Sequence, residues 1–323
     1  MVKNWISGWT KKIGIKVKNL VRKRPSAQDL IGSDWKNCEK CKMITYRHDL
    51  IAQNFICSCG YHFDLPISLR QKHLYDADFI TINAPNVDED PLSFSTNTYS
   101  YRSKIKKYQQ ISKQDTALSV TSGLISGLRA VVIIFNPAFG AGRFGIRECA
   151  HFLEACDYAC KEKSEIFLTV LQSSGMDVRA GTLSLMSMPK SIIGMSQLGE
   201  AGIIRIGCVA RGATGGSLGS FFQLNDFILI ESPTTEDILF SGRRVTQTIY
   251  KNNEGLPEDF GLGSSILKHG LCDIVLKDRN ELKKTVVQLS NILLKKIEVQ
   301  DGKISTPDAS EEKSPAFLQK AAK

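Results

Sequence analysis

The sequence has no long apolar run. Hydrophobic residues make up 42% of its 323 positions, enough for a sizeable core, but they come in short, interrupted stretches, so no membrane span is expected. No apolar segment near the start resembles a secretory signal. The cysteines number nine, an odd count; with no secretion signal, a disulfide framework is disfavoured and a reducing, cytoplasmic location is expected. Neither of the glycine turns Ser173-Ser174-Gly175 and Thr214-Gly215-Gly216 carries a Walker lysine or a G-x-G-x-x-G, which argues against nucleotide hydrolysis and dinucleotide binding there. There is no convincing Ser/His/Asp or Cys/His set. His151 and His269 have no evident partners in sequence and read as structural or surface residues. No internal repeat is visible.

Acid is absent before Asp29, and that shapes the charge. The formal net charge is +9, and Lys3, Lys11, Lys12, Lys16, Lys18, Arg22, Lys23 and Arg24 account for nearly all of it. The remainder is almost balanced, so a globally basic nucleic-acid surface is not implied. The basic stretch also carries Trp5, Ile6, Trp9, Ile13, Ile15, Val17 and Leu20. It reads as a solvated arm that docks on a partner subunit, with an amphipathic surface-binding arm or a targeting peptide as alternatives.

Five segments follow from composition. Residues 1–33 are the basic arm and 34–66 a cysteine-rich module. Residues 67–114 form a polar connector with a helical patch from Leu69 to Tyr75. Residues 115–298 are the main domain, and 299–323 a polar tail expected to be disordered. The main domain alternates β-rich runs (Ala130–Phe135, Glu165–Leu171, Ile203–Val209, Phe227–Ile230) with helical patterns (Ile146–Lys161, Gly181–Leu198). That alternation predicts an α/β fold with strands buried on both faces and ligand sites in the turns that follow them.

Cys38-Glu39-Lys40-Cys41 is a C-x2-C knuckle, and Cys57-Ser58-Cys59 follows fifteen residues later. Two thiolate pairs at this separation suit a tetrahedral structural zinc site with ligands Cys38, Cys41, Cys57 and Cys59. His62 is a substitute ligand, and a ribbon that folds without metal is the bland alternative. Four thiolates leave no open position, so a catalytic zinc is not expected. Cys149, Cys156, Cys160, Cys208 and Cys272 read as small core residues. Lys36, Lys40, Lys42 and Arg47 are the only basic residues near the cluster, which gives weak support to nucleic-acid recognition.

Two glycine turns follow strands: Ser173-Ser174-Gly175 and Thr214-Gly215-Gly216. Small residues let a ligand carbonyl approach backbone N–H groups, which suits an oxyanion hole formed by the amides of Ser174 and Gly175 at a helix N-terminus. A tight structural βα turn is the plain alternative for each. A site of backbone donors with no obvious acid or base fits stabilisation of a thioester enolate, the base coming from the cosubstrate.

From Trp35 to about Leu294 the chain resembles the β subunit family of acetyl-CoA carboxylase carboxyltransferase. The resemblance rests on W-x2-C-x2-C-x15-C from Trp35, Cys59-Gly60 and His62, Asp90-Pro91-Leu92 with Phe94, and Asp115-x-Ala117-Leu118. It continues through Ser173 to Gly181 and Ser184 to Lys190, which resemble S-G-G-A-R-M-Q-E-G and S-L-M-Q-M-x-K. Thr214-Gly215-Gly216 with Ser220-Phe221 resembles T-G-G-V-x-A-S-F. Phe240 to Val245, Leu256-Pro257-Glu258-x-Phe260 and His269-Gly270-x-x-Asp273 complete the series.

The resemblance implies a crotonase-like spiral core with an N-terminal zinc ribbon, holding one structural zinc per subunit. It implies carboxyl transfer from carboxybiotin, supplied on the biotin carboxyl carrier protein, to acetyl-CoA, giving malonyl-CoA for fatty acid synthesis. It further implies an α2β2 assembly with a carboxyltransferase α subunit, alongside biotin carboxylase. ATP binding goes with the resemblance too, against the residues' own reading. Thr214, Gly215, Gly216, Gly242, Arg243 and Arg244 are the expected substrate-binding positions, the two arginines as candidates for coenzyme A phosphates.

The chain departs from the family pattern in places. Ser174 stands where the motif has glycine, and Met176-Asp177 where it has Ala-Arg. Phe139 to Arg147 replaces a G-S-M-G-x-x-G-E turn. The reversed charge at Asp177 implies a co-adapted partner or a weakened site. A catalytically eroded structural subunit and a nucleic-acid-binding ribbon protein are the alternative readings.

Overall fold

A computed structural model of the chain describes residues 34–250, 256–294, 298–300 and 303–305. The basic arm and most of the tail lie outside these residues. The chain divides between Asp64 and Leu65 into two compact units.

In the first unit, β1 (Trp35–Asn37) and β2 (Ile44–Tyr46) pair antiparallel, and α1 (Arg47–Ala52) follows. Its buried apolar side chains among the described residues are Leu50, Phe55 and Phe63, together with Cys38 and Cys57. That is a small core for a separate unit.

The second unit begins with α2 (Ile67–Leu74), β3 (Ile80–Thr81) and α3 (Tyr101–Ser112). Next come β4 (Leu118–Ile125), β5 (Leu128–Phe135), α4 (Ile146–Lys161) and β6 (Ile166–Ser173). Then follow α5 (Thr182–Leu185), α6 (Ser187–Glu200), β7 (Ile204–Thr214), α7 (Gly215–Gly219), β8 (Phe227–Ile230) and β9 (Ile238–Leu239). The chain continues through α8 (Arg243–Ile249), α9 (Gly263–Lys268), β10 (Ile274–Val275) and α10 (Leu282–Leu293).

The sheet runs β10-β8-β7-β6-β5-β4-β3, with β9 beside β7. From β5 to β10 the pairings are parallel, while β3, β4 and β5 pair antiparallel. The β4–β5 hairpin closes through Ser126 (φ 48°) and Gly127 (φ 76°), the two-residue turn whose twist matches paired strands.

Alternation along the central strands splits the core in two. Val131, Ile133, Phe135, Phe167 and Leu171 pack against Phe152 and Cys156 of α4 and Met195 and Leu198 of α6. Val132, Ile134, Leu168, Val170 and Ile206 face the other way, onto Leu74 of α2 and Leu282 and Val286 of α10. Helices cover both faces, as continuous apolar strands require.

The four strands and the 146–161 helix expected from sequence are present. The expected 181–198 helix is broken at Met186 into α5 and α6. The third strand runs on to Thr214, directly into its glycine turn. Several elements are not expected from the sequence; two of them bear on the site. Leu118–Ile125 is the strand β4, and the polar run before Gln114 is the helix α3. Ser100 caps α3 by accepting from Ser103 N–H at 3.2 Å, and its buried stripe is only Tyr101 and Ile105. In the tail, where disorder was expected, β11 (Glu298–Gln300) and β12 (Lys303–Ser305) pair antiparallel. The sequence between them is Asp-Gly, the dipeptide suited to a two-residue hairpin.

Candidate functional site

The first unit carries a cysteine quartet. The Sγ atoms of Cys38, Cys41, Cys57 and Cys59 all lie within 4.8 Å of one another. Cys38 and Cys59 are 3.7 Å apart, and Cys41 and Cys57 3.6 Å. A tetrahedral Zn–S distance of about 2.3 Å gives a sulfur–sulfur edge of about 3.8 Å, so the quartet has the size of such a site. Backbone bonds preform the knuckles: Lys42 N–H donates to Cys38 O, and Gly60 N–H to Cys57 O, each at 2.8 Å. Gly60 has φ 81°, the left-handed conformation that turns the C-x-C half back. With protons in place of a cation, burial pushes the Cys38 thiol up to about 12, whereas Cys59 is lowered to about 7: burial raises it, but the Tyr61 amide and the neighbouring thiols outweigh that. His62 lies outside the quartet.

In the second unit, three turns converge at the C-terminal ends of β5, β6 and β7. Ser173 pairs with Ala213 across β6 and β7, which sets their turns side by side. Gly175 (φ 93°) is glycine for a steric reason as well, since a Cβ there would lie 2.9 Å from Thr214 O. The turn after β5 reaches the same place. A Cβ on Gly142 (φ 68°) would sit 2.0 Å from Gln172 O, so only glycine allows that approach. Phe144 and Met176 form a parallel β-bridge: Phe144 N–H donates to Gly175 O (2.9 Å), and Asp177 N–H to Phe144 O (3.0 Å).

The sequence expectation of two free amides at a helix start gives way to different geometry. Gly175 leads into the Phe144 bridge; a 3-10 turn follows at Val178–Ala180, and the next α-helix, α5, starts only at Thr182. Ser174 N–H donates to Ala141 O at 3.0 Å, and Gly175 N–H to Ser173 Oγ at 3.1 Å. The Ser173 hydroxyl donates to Gly142 O (2.7 Å) and accepts from Ser217 Oγ (3.0 Å), so it knots all three turns. The two amides therefore differ: one is spent on a backbone carbonyl, the other on a side-chain hydroxyl.

Thr214 ends β7, and Gly215 (φ 65°) opens α7 with its N–H on Phe240 O at 3.0 Å. That bond brings the segment following β9 to the same corner. Gly216 lies under two methionines: a Cβ there would meet Met176 Cγ at 2.5 Å and Met188 Sδ at 2.9 Å. Gly242 caps α8, accepting from Val245 N–H at 2.9 Å. Arg243 and Arg244 are the first residues of α8, but their side chains lie outside the described residues. His151 is buried between Thr116 Oγ1 (3.1 Å) and Ile82 O (2.7 Å), a structural histidine as expected.

Behind the turns sits a charge cluster that sequence reading missed. Arg143 is 2% exposed and Asp177 2%. Arg143 donates to Asp177 Oδ2 at 2.5 Å, to Tyr101 Oη at 2.8 Å and to Glu89 Oε2. Tyr101 in turn donates to Asp177 Oδ2 at 2.8 Å. Glu148 lies 3.5 Å from Arg143, its oxygens accepting from Ala117 N–H (3.1 Å) and Gly145 N–H (3.0 Å). Burial alone would raise the Asp177 carboxyl, but Arg143, the Tyr101 hydroxyl and the Arg179 amide hold it below its ordinary value. Glu89 goes the other way: burial, then the Glu148 carboxylate, push it up to about 7 against the pull of Arg143. Glu89 and Tyr101 come from the segment read as a polar connector. The reversed charge at Asp177 is thus matched inside this chain.

No family model matches the chain. It is 32% identical over 285 residues to the acetyl-coenzyme A carboxylase carboxyl transferase subunit beta of Gluconobacter oxydans, covering 86% of this chain and 96% of that protein. The subunit beta of Clostridium botulinum is 33% identical, over 88% of this chain and 96% of that one. The chain belongs to this carboxyltransferase β subunit family. A Frankia alni protein described as subunits beta/alpha is 30% identical, and there the chain spans 43% of the longer protein. Two solved structures share the fold: a Pseudomonas malonate decarboxylase hetero-dimer (TM-score 0.55, 19% identity, 75% of this chain and 90% of that one) and transcarboxylase 12S (TM-score 0.55, 16% identity, 75% and 42%). The core is therefore crotonase-like, as the resemblance implied.

Within this β subunit family, several motif residues prove to be framework. Asp90 accepts from Phe94 N–H at 2.8 Å and shapes the turn before α3. Asp273 accepts from Ile228 N–H at 2.7 Å and starts β8. Phe221 is fully buried against Phe144 and Phe152, with ring centroids 4.9 and 4.8 Å away. Among the described residues, no helix is long and apolar enough to cross a membrane.

Proposed function

We propose that this carboxyltransferase subunit transfers the carboxyl group from carboxybiotin to acetyl-CoA, forming malonyl-CoA for fatty acid synthesis in the cytoplasm. The observation that carries the reading is identity at the 30% level along almost the whole length of named β subunits, with the three glycine turns in place. The beta/alpha relative supports an α partner; an α2β2 assembly served by biotin carboxylase and the biotin carrier protein belongs to the same proposal. The eroded-subunit reading loses its main support, because Asp177 is paired and buried. The nucleic-acid reading gains none.

In this reading the substrate thioester lies against the turns after β6 and β7, with Thr214, Gly215 and Gly216 as its floor and Gly242 to Arg244 at its edge. The Gly175 amide is the exchangeable donor. Its acceptor is a side-chain hydroxyl and not a backbone carbonyl, so an enolate oxygen takes its place without breaking backbone pairing. The Ser174 amide keeps its carbonyl and fixes the turn. Cys38, Cys41, Cys57 and Cys59 fit one zinc, whose role is structural.

The test is malonyl-CoA formation by the chain with its α partner, carboxylated carrier and acetyl-CoA. Activity that requires this chain supports the reading. A well-formed complex without activity refutes it.

A further inference from the structure

Asp177 and Arg143 stand on either side of the bridge that joins two of the three turns. Phe144 follows Arg143, and Asp177 follows Met176, the residue bridged to Phe144. Backbone bonds close this junction along one edge, and the Arg143–Asp177 contact at 2.5 Å closes it through side chains. Both are almost wholly buried, so neither touches substrate. The motif that this chain resembles has arginine where Asp177 stands.

We propose that Arg143 and Asp177 are a positioning pair that fixes the Gly175 turn for catalysis. The proposal rests on the carboxyltransferase reading for its catalytic half.

Two observations and one general principle support it. Glu89 and Glu148 both face Arg143, at contact distance and 3.5 Å, so this pocket must hold a cation whichever residue supplies it. An arginine at 177 beside Arg143 would place two guanidinium groups where one now serves three carboxylates, and a second nearby arginine, Arg147, already lies 3.9 Å from Glu89. Finally, a buried ion pair is a poor source of net stability compared with apolar packing, whereas it restricts geometry sharply. The pair sits where geometry matters, since a displacement of about 1 Å at a reacting centre costs about a hundredfold in rate.

Tyr101 completes the device. Its hydroxyl accepts from Arg143 and donates to the same Asp177 oxygen, so it holds the two partners at a set spacing. Glu89 and Tyr101 thereby tie the segment before β4 to the site.

The experiment uses the assembled enzyme and four variants: Asp177→Asn, Asp177→Arg, the exchanged double Arg143→Asp/Asp177→Arg, and Tyr101→Phe. Two readouts are taken: steady-state kcat and KM for acetyl-CoA, and amide hydrogen exchange at Ser174 and Asp177. Expected for Asp177→Asn is a fall in kcat of about tenfold to a hundredfold with KM changed less than about threefold, and faster exchange at both amides. Asp177→Arg falls further, and the exchanged double recovers at least about tenfold of that loss. Tyr101→Phe, which keeps every charge and serves if the charge variants fail to fold, loses kcat by about threefold to tenfold.

Unchanged exchange at Ser174 and Asp177 in folded Asp177→Asn or Tyr101→Phe overturns the proposal, whatever the activity. So does unchanged kcat in those variants, or a double no better than Asp177→Arg. A wild-type complex that makes no malonyl-CoA refutes the carboxyltransferase reading instead, and the exchange readout still decides the positioning role.

Discussion

Cys57→Ala tests the quartet most directly. It removes one of four sulfurs that lie within 4.8 Å of one another and leaves the other three in place. A structural zinc bound by such a set is worth about 10–16 kcal/mol in apparent free energy at neutral pH. The large apolar side chains buried in the described part of this unit are Leu50, Phe55 and Phe63, each worth about 2–3 kcal/mol when fully buried. Burial on that scale does not order a separate unit, because each fixed residue costs about 1–2 kcal/mol of backbone entropy. Losing the metal is therefore expected to unfold the 34–64 module while β5, β6 and β7, with their own core, stay folded. The assay is zinc stoichiometry together with amide exchange at Lys42, Cys57 and Gly60, whose N–H groups bond to Cys38 O, Tyr61 O and Cys57 O at 2.8 Å. The wild type should carry one zinc and protect these amides. Cys57→Ala should carry none and lose protection there alone. Retained protection in a metal-free variant would refute the argument that the metal supplies what the small core lacks.

Other changes probe the turns. Gly142→Ala puts a Cβ 2.0 Å from Gln172 O at φ 68°, so the turn must shift; destabilisation of about 3 kcal/mol or more is expected in urea unfolding, with activity lost. Gly175→Ala meets Thr214 O at 2.9 Å and is expected to cut kcat about a hundredfold while the complex still assembles by gel filtration. Glu89 provides a pH signature. Its carboxyl, raised from an ordinary 4.5 to about 7, binds its proton more tightly folded than unfolded. It therefore favours the fold at low pH, and that contribution is lost as pH rises through about 7. Unfolding measured at pH 6 and pH 8 should show this group costing the wild type about 1.4 kcal/mol over that interval, and Glu89→Gln losing less.

The sequence by itself determined the α/β class, the four central strands and α4. The reason is local: continuous β-branched runs and a helical apolar repeat need one kind of partner surface, and the turn chemistry agrees with it. It also located the quartet, because the C-x2-C and C-x-C spacings leave little freedom in where four sulfurs meet. The glycine turns were legible as positions, but not in their bonding. Whether the amides of Ser174 and Gly175 are engaged depends on Ala141 O and the Ser173 hydroxyl, and the former arrives from a turn more than thirty residues away in sequence. The helix α3 was hidden because it buries only Tyr101 and Ile105, too short a stripe to stand out from its lysines and glutamines. Asp177 is the sharpest case. In sequence it is a reversed charge; in the folded chain it is half of a buried pair with Arg143, bracketed by Tyr101 and Glu89. A charge takes its meaning from what burial places beside it, and those neighbours come from two separate segments that only the tertiary fold brings to Asp177.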